Sequence, residues 1–212
     1  MADQRSHRLP ATVTPERYQI RLTPDLTAWT FTGEESVSVK IHEPVREVVL
    51  NAAELEFHAV TATAANGKTI GGTVTLDGEN ERAVFTFPEP LAAGNSKLEI
   101  KFSGILNDKL HGFYRSTYKD ADGNYKPLAS TQFESTDARR AFPCWDEPAF
   151  KAVFQVALVV DQGLTAISNA RVVREIPLPG TRKKEVVFAD TMKMSTYQIG
   201  RASCRERVLP TV

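Results

Sequence analysis

The chain has 212 residues, of which 42% are hydrophobic, and its 26 lysine and arginine residues are balanced by 26 aspartate and glutamate residues. This length and hydrophobic content suffice for a substantial core and fit a single domain. Because the formal net charge is zero, the chain has no basic excess to attract nucleic acid or an anionic membrane surface. We therefore expect neither nucleic acid nor a membrane as a partner.

The amino-terminal residues contain no apolar stretch of the kind that a secretory signal requires, and no run approaches the ~20 apolar residues of a transmembrane helix. The two cysteines, Cys144 and Cys204, form no C-x-x-C pair, which argues against a disulfide framework and a structural zinc site. These features predict a cytoplasmic protein in which residues 1–8 are disordered.

Apolar and polar side chains alternate along much of the chain. Residues 18–22, with the sequence YQIRL, place three apolar side chains on one face and two polar side chains on the other. The same period of two returns at residues 36–41, 73–76, 83–87, 97–102, 154–160 and 185–188. Turn-forming pairs such as Asn66-Gly67 separate these runs, and no segment has a convincing helical period. The sequence thus predicts an all-β domain, an antiparallel β-sandwich or saddle-like sheet.

One short segment begins like the zinc-binding signature H-E-x-x-H. Residues 42–46 read HEPVR, so the second histidine is replaced by Arg46, and Pro44 would disrupt the helix that places both ligands on one face. The four histidines are scattered singly along the chain, which indicates surface or strand positions rather than ligands. We therefore predict no metal site and no catalytic residue within this chain.

Residues 130–152, STQFESTDARRAFPCWDEPAFKA, differ from the strands around them. This segment is too polar for a core strand and too rich in aromatic residues and prolines for a plain linker, which indicates a structured loop. If the chain is extended there, Gln132 and Glu134 project from the same face. From spacing alone, the simpler interpretation of Glu134 is a solvated strand carboxylate. The adjacent acids Asp146 and Glu147 are interpreted as partners in ion pairs of the loop.

The same segment resembles the motif T-Q-x-E/Q-x-x-D-A-R-x-x-F-P-C-x-D-E-P of the zinc aminopeptidases that include aminopeptidase N and puromycin-sensitive aminopeptidase. Residues 110–116 resemble the G-F-Y-R-S element of this family, and residues 9–18 resemble its opening strand. Two later landmarks, at residues 167–169 and 194–197, follow in the expected order. The resemblance identifies residues 9–197 as the amino-terminal β domain of such an enzyme, cut short at its end.

In that family, the β domain packs on a catalytic domain whose H-E-x-x-H motif and distant glutamate bind zinc. Neither feature occurs in this chain, so the resemblance implies zinc in the full-length enzyme, none in this fragment, and a missing catalytic domain as the partner in cis. The fragment is expected to be inactive alone.

The resemblance also assigns roles to individual residues. Glu134 would anchor the free α-ammonium of a peptide substrate, and Gln132 would help to wall the pocket for the first side chain. A cis peptide bond is expected between Glu134 and Ser135. The charged residues Asp137, Arg139 and Arg140, like Asp146 and Glu147, could also face the substrate, but most of them are expected to hold the loop together by ion pairing. Three further residues are expected to pack the loop onto the sandwich: Phe142, Cys144 and Trp145.

After residue 197 the family would continue with an apolar strand, whereas residues 199–208 read IGRASCRERV and lack strand alternation. This decapeptide equals a translation of the sequencing-adapter codons ATC GGA AGA GCG TCG TGT AGG GAA AGA GTG. Residues 198–212 are therefore predicted to be a non-native tail. Two other functions remain open: a scaffold domain from a family member that has lost its zinc site, and a free-standing carbohydrate- or peptide-binding sandwich.

Overall fold

The computed structural model describes residues 8–204, with the backbone alone for residues 201–204. The predicted disorder of residues 1–8 falls outside this range except at Arg8, whose guanidinium lies 3.1 Å from the carboxylate of Glu147. No helix long and apolar enough to cross a bilayer occurs within the described range.

Short strands and tight turns make up most of the described chain, which forms fifteen strands and two single-turn 3₁₀ helices. The first eight strands are β1 (Val13–Asp25), β2 (Thr30–Ile41), β3 (Val45–Asn51), β4 (Leu55–Ala64), β5 (Thr69–Gly71), β6 (Thr73–Asp77), β7 (Arg82–Leu91) and β8 (Gly94–Ile105). The others are β9 (Gly112–Lys119), β10 (Tyr125–Gln132), β11 (Val153–Asp161), β12 (Thr165–Ser168), β13 (Val172–Pro177), β14 (Lys183–Phe188) and β15 (Arg201–Cys204). The 3₁₀ helices span Ala138–Arg140 and Thr196–Gln198. The predicted all-β class is confirmed.

Three sheets contain these strands. The largest has eight strands in the order β13-β14-β11-β1-β2-β8-β4-β5, the second has the order β12-β15-β10-β9, and the third has the order β3-β7-β6. Neighbouring strands are mostly antiparallel, as predicted, but β1 and β11 run parallel, with Tyr18 opposite Phe154. Parallel pairing requires a long connection, and the chain between β1 and β11, which passes through nine other strands, supplies it.

The alternation predicted at residues 18–22 is confirmed in β1. The side chains of Tyr18, Ile20 and Leu22 are at most 1% exposed, whereas Gln19 faces solvent. Burying a large apolar side chain stabilises the fold by roughly 1.5–3 kcal/mol, so one such face supplies a large share of the stability.

Aromatic pairs join the smaller sheets to the large one. Phe31 of β2 meets Phe113 of β9 edge to face, with ring centroids 5.1 Å apart. Phe57 of β4 meets Phe85 of β7 in the same way at 5.5 Å. The core therefore lies between the eight-stranded sheet and the two smaller sheets that cover it.

The chain after residue 200 forms a strand that its sequence pattern does not indicate. Strand alternation is lacking there, yet Arg201–Cys204 form β15, which pairs with β12 on one side and β10 on the other. Such pairing needs no alternation, because the ladder uses only backbone N–H and C=O groups, which any residue except proline supplies. The predicted non-native origin of residues 198–212 remains a prediction, and residues 205–212 lie outside the described part.

Candidate functional site

The end of β10 presents the two side chains that the sequence singles out. Gln132 is the last residue of β10, and Glu134 follows two positions later. Both are exposed, whereas Phe133 between them is 2% exposed and points into the core. The chain here thus keeps the alternation of an extended segment and displays an amide and a carboxylate at the surface.

A row of aromatic rings fixes this surface to the core. The ring of Phe133 meets that of Phe142 edge to face at 6.0 Å, and Phe142 meets Tyr18 at 6.1 Å. Tyr18 in turn stacks on Phe154 of β11 at 4.7 Å. Burial raises the pKa of Tyr18 well above its ordinary value, with the neighbouring acidic groups acting in the same direction. Glu134 therefore stands on a well-packed support, which is what precise ligand placement requires.

The chain turns sharply directly after Phe133. The peptide bond between Glu134 and Ser135 is cis, as the resemblance implies. The backbone N–H of Asp137 donates a hydrogen bond to the carbonyl oxygen of Phe133, at 2.9 Å, and so closes the turn. Glu134 is thus held inside a closed loop immediately before the first 3₁₀ helix.

The other acidic side chains of residues 130–152 are paired. Asp137 accepts from Arg140 at 3.0 Å, Asp146 accepts from Arg139 at 3.0 Å, and Glu147 pairs with Arg8. These contacts confirm that the charged residues tie the loop together.

Glu134 is different from these three acids. Among the residues whose side chains the structure describes, none forms a hydrogen bond or an ion pair with its carboxylate. A carboxylate offers about four acceptor positions, so Glu134 can receive several donors from a ligand.

Arg140 collects three carboxylates from three separate parts of the chain. Its Nη1 lies 2.9 Å from Glu54, its Nη2 donates to Glu81 at 2.6 Å, and its Nε donates to Asp137 at 3.0 Å. Burial alone would lower the pKa of Arg140, but the hydrogen bond to Asp137 and the charges of Glu81 and Glu54 outweigh it and raise that pKa. The guanidinium is therefore a permanently charged junction.

Arg139 forms a second junction beside the first. Its Nη1 donates to Glu81 at 3.1 Å, and its Nε donates to Asp146. The Asp146 side chain is 1% exposed and also accepts the hydroxyl of Thr196 at 2.6 Å. The backbone N–H of Asp146 donates to the side-chain oxygen of Asn51. These hydrogen bonds join the segment 137–146 to β3 through Asn51 and to the second 3₁₀ helix through Thr196.

A glycine allows Arg140 to approach the sheet. Gly112 lies opposite Gln132 in the ladder between β9 and β10, and its φ is +65°. A Cβ atom at this position would lie 2.7 Å from the Cβ of Arg140, which is closer than real side chains permit. The G-F-Y-R-S element therefore needs its glycine both for backbone conformation and for the space that Arg140 occupies.

Four residues of these junctions are not predicted from the sequence: Asn51, Glu54, Glu81 and Thr196. Asn51, Glu54 and Glu81 are ordinary polar residues outside the family motifs, and Thr196 lies in the landmark at residues 194–197, but only the fold brings these side chains to the loop. The charge of Arg139 and Arg140 signals that partners exist, but no spacing in the sequence identifies which distant acids they are.

The histidines of the described range and Cys144 do not form a common cluster. His42 hydrogen-bonds Thr14 at 3.0 Å, His58 hydrogen-bonds Ser103 at 2.8 Å, and the side chain of Cys144 is buried in the core. Within residues 8–204, no three His, Cys, Asp or Glu side chains are grouped to hold a metal ion. The described residues therefore offer no site for zinc, which the family resemblance places in the catalytic domain of the full-length enzyme.

Comparison with known proteins supports the assignment of this domain. The sequence is 46% identical to Aminopeptidase M1-A of Oryza sativa subsp. japonica over 196 residues, which cover 91% of this chain and 22% of that protein. It is 41% identical to the Puromycin-sensitive aminopeptidase of Caenorhabditis elegans over 92% of this chain and 21% of that protein. It is 42% identical to Aminopeptidase M1 of Arabidopsis thaliana over 91% of this chain and 22% of that protein.

The chain thus spans about a fifth of the length of these relatives. The profile of the peptidase M1 N-terminal domain matches residues 14–198, which is most of the chain. The three proteins compared are aminopeptidases by name, and the matched region coincides with the β domain described above. The chain belongs to the peptidase M1 N-terminal domain family.

Proposed function

We propose that this chain is the amino-terminal domain of a zinc metalloaminopeptidase and that it anchors the free amino terminus of the peptide substrate through Glu134. The observation that carries the proposal is the contrast within one loop. The carboxylates of Asp137, Asp146 and Glu147 are bound to arginines, whereas that of Glu134 is exposed and has no partner among the described side chains.

The chemistry of an α-ammonium group matches this carboxylate. A protonated amino terminus carries donors only, and a carboxylate accepts only, so the two form a charge-assisted hydrogen bond. Such a bond is worth roughly 1.5–3 kcal/mol, which corresponds to about a 10- to 100-fold preference for a free amino terminus over a blocked one. The rigid support from Phe133 fixes where the peptide begins, and hence which peptide bond reaches the catalytic centre.

Gln132 contributes to the same surface in this proposal. Its amide lies at the end of β10, two residues before Glu134, and is exposed. An amide supplies both a donor and an acceptor, so it suits a pocket wall that contacts the first residue of the peptide.

The proposed hydrolysis takes place in a second domain joined in cis. The relatives are about five times longer than this chain, which leaves room for such a domain in the parent protein. Zinc would be bound there, where it would activate the attacking water. The chain itself is proposed to be inactive alone, and the whole enzyme is proposed to act on peptides in the cytoplasm.

The test is a substitution in the full-length protein that the parent gene encodes. Glu134→Gln removes the charge and keeps the shape, so kcat/KM for aminoacyl substrates should fall about 10- to 100-fold, mainly through KM. Glu16→Gln is the matched control, because Glu16 is also exposed, on β1, and should leave kcat/KM unchanged.

Two results would contradict the proposal. An unchanged kcat/KM in Glu134→Gln would remove the anchoring role. A complete reading frame without H-E-x-x-H would remove the enzymatic role and favour a scaffold domain instead.

A further inference from the structure

We propose that Arg140 is a positioning residue for Glu134, acting through Asp137 and the turn that this aspartate closes. This inference rests on the proposed function of Glu134 and adds a residue that does not itself contact the substrate. It explains why three carboxylates from separate connecting segments converge on one guanidinium beside the end of β10.

Two hydrogen bonds connect Arg140 to the turn that contains Glu134. The Nε of Arg140 donates to Oδ1 of Asp137 at 3.0 Å, and the backbone N–H of Asp137 donates to the carbonyl oxygen of Phe133 at 2.9 Å. Phe133 is the residue directly before Glu134. The hydrogen bond from Asp137 therefore fixes both ends of the loop in which Glu134 lies.

A second contact reaches the same place from the strand side. Arg140 packs over Gly112, which pairs with Gln132. A Cβ atom on Gly112 would lie 2.7 Å from the Cβ of Arg140. The aliphatic part of the Arg140 side chain thus contacts β9, while its guanidinium binds Asp137. A shift of Arg140 would therefore disturb Gln132 and Glu134, the two residues that flank Phe133.

Two glutamates hold the guanidinium of Arg140 in place. Glu54 lies between β3 and β4, and Glu81 lies just before β7. Both residues have left-handed backbones, with φ of +58° and +51°, and both point their carboxylates at Arg140. A non-glycine residue adopts this conformation at a cost, so two such turns aimed at one guanidinium indicate a junction held in a defined geometry.

Only an arginine can make this junction. Glu54, Glu81 and Asp137 bind three different nitrogens of one planar group, and a lysine has a single nitrogen at the end of a flexible chain. Arg140→Lys therefore keeps the positive charge but cannot bind all three carboxylates in the same arrangement. This substitution distinguishes a positioning role of Arg140 from an effect of its charge alone.

The experiment is a double-mutant cycle in the full-length protein, with KM, kcat and the midpoint of thermal unfolding measured for each variant. Arg140→Lys should raise KM about tenfold with little change in kcat, because coupling between linked residues is typically about 2- to 100-fold. In the Glu134→Gln background, the same substitution should raise KM by less than about twofold, since Arg140 then has no anchor to position. Arg21→Lys is the matched control, because Arg21 also pairs with two glutamates, Glu34 and Glu185, and should leave KM unchanged.

The cycle distinguishes this inference from the function on which it rests. If Glu134→Gln raises KM but Arg140→Lys does not, the positioning role is wrong and the anchor stands. If the two effects multiply in the double variant, Arg140 acts independently of Glu134 and the inference is likewise wrong. If Glu134→Gln changes nothing, both proposals are wrong.

A milder substitution covers the case in which the Arg140 variant fails to fold. Glu54→Gln removes one charge at a half-exposed position and leaves Arg140 bound to Glu81 and Asp137. It should raise KM about two- to threefold in the wild-type background and not at all in the Glu134→Gln background. A KM equal to that of the wild type would overturn the inference.

Discussion

The backbone of Gly112 lies so close to Arg140 that a single methyl group on the glycine would sit 2.7 Å from the arginine Cβ. This contact joins β9 to the first 3₁₀ helix at the point where β10 ends. Gln132 pairs with Gly112 in the ladder between β9 and β10. The distance between Gly112 and Arg140 therefore also sets how far Gln132 and Glu134 lie from the ion pairs of Arg140.

The contact predicts a strong effect of Gly112→Ala. Alanine would meet both an unfavourable left-handed backbone, worth roughly 1–2 kcal/mol, and an overpacked contact, worth roughly 1–3 kcal/mol. Gly123→Ala is the matched control, because its φ of +83° is similarly strained while nothing lies within 4 Å of its Cβ position. Urea unfolding should show a loss about 1–3 kcal/mol larger for Gly112→Ala. Equal losses for the two variants would show that Arg140 moves away freely.

A second prediction concerns the buried carboxylate of Asp146. Thr196→Val removes the hydroxyl that donates to Asp146 at 2.6 Å, and the carboxylate cannot turn to water because it is 1% exposed. The free energy of unfolding should therefore fall by roughly 1.5–3 kcal/mol. Thr14→Val, which removes an exposed contact to His42, should change it by less than about 0.5 kcal/mol. A small effect in Thr196→Val would mean that Arg139 alone satisfies Asp146.

The sequence predicts those parts of the fold that depend on local alternation. In β1, the buried Tyr18, Ile20 and Leu22 and the exposed Gln19 follow directly from the period of two. The parallel pairing of β1 with β11 and the strand Arg201–Cys204 do not follow, because strand partners are chosen by the folded chain as a whole. A backbone ladder leaves no trace in the side-chain pattern of so short a strand.

The candidate site divides in the same way. An apolar residue, Phe133, between two polar ones predicts that Phe133 is buried and that Gln132 and Glu134 are exposed. The presence of acids and arginines in one loop predicts that they form ion pairs with one another. Glu54 and Glu81 carry no such signal, because the distance from Glu54 to Arg140 along the chain spans seven strands. Long-range ion pairs are visible only when the fold is known.

The aromatic support beneath Glu134 gives a third prediction. Phe133→Ala would empty a buried position beside Phe142 and should reduce the free energy of unfolding by roughly 3–5 kcal/mol. Tyr125→Ala is the control for loss of an aromatic residue nearby in the chain, because Tyr125 begins β10, directly before the loop, and its side chain is 69% exposed. Chemical unfolding of both variants supplies the comparison. If Phe133→Ala loses no more stability than Tyr125→Ala, Phe133 does not anchor the loop.

The raised pKa of Tyr18 gives a prediction about alkaline pH. Burial favours the neutral phenol, and the nearby Cys144 and Glu35 also disfavour a phenolate, so the folded pKa lies well above the ordinary value of 10.0. Above pH 10 the unfolded chain therefore releases the Tyr18 proton while the folded chain retains it. This contribution to stability is complete below pH 10 and is lost, by up to about 1.4 kcal/mol per pH unit, as the pH rises towards the folded pKa.

Tyr18→Phe removes this proton but keeps the ring that stacks on Phe154, so its stability should decline less steeply than that of the wild type in urea titrations above pH 10. Parallel stability curves for the two proteins would show that Tyr18 reaches solvent in the folded state and titrates there normally.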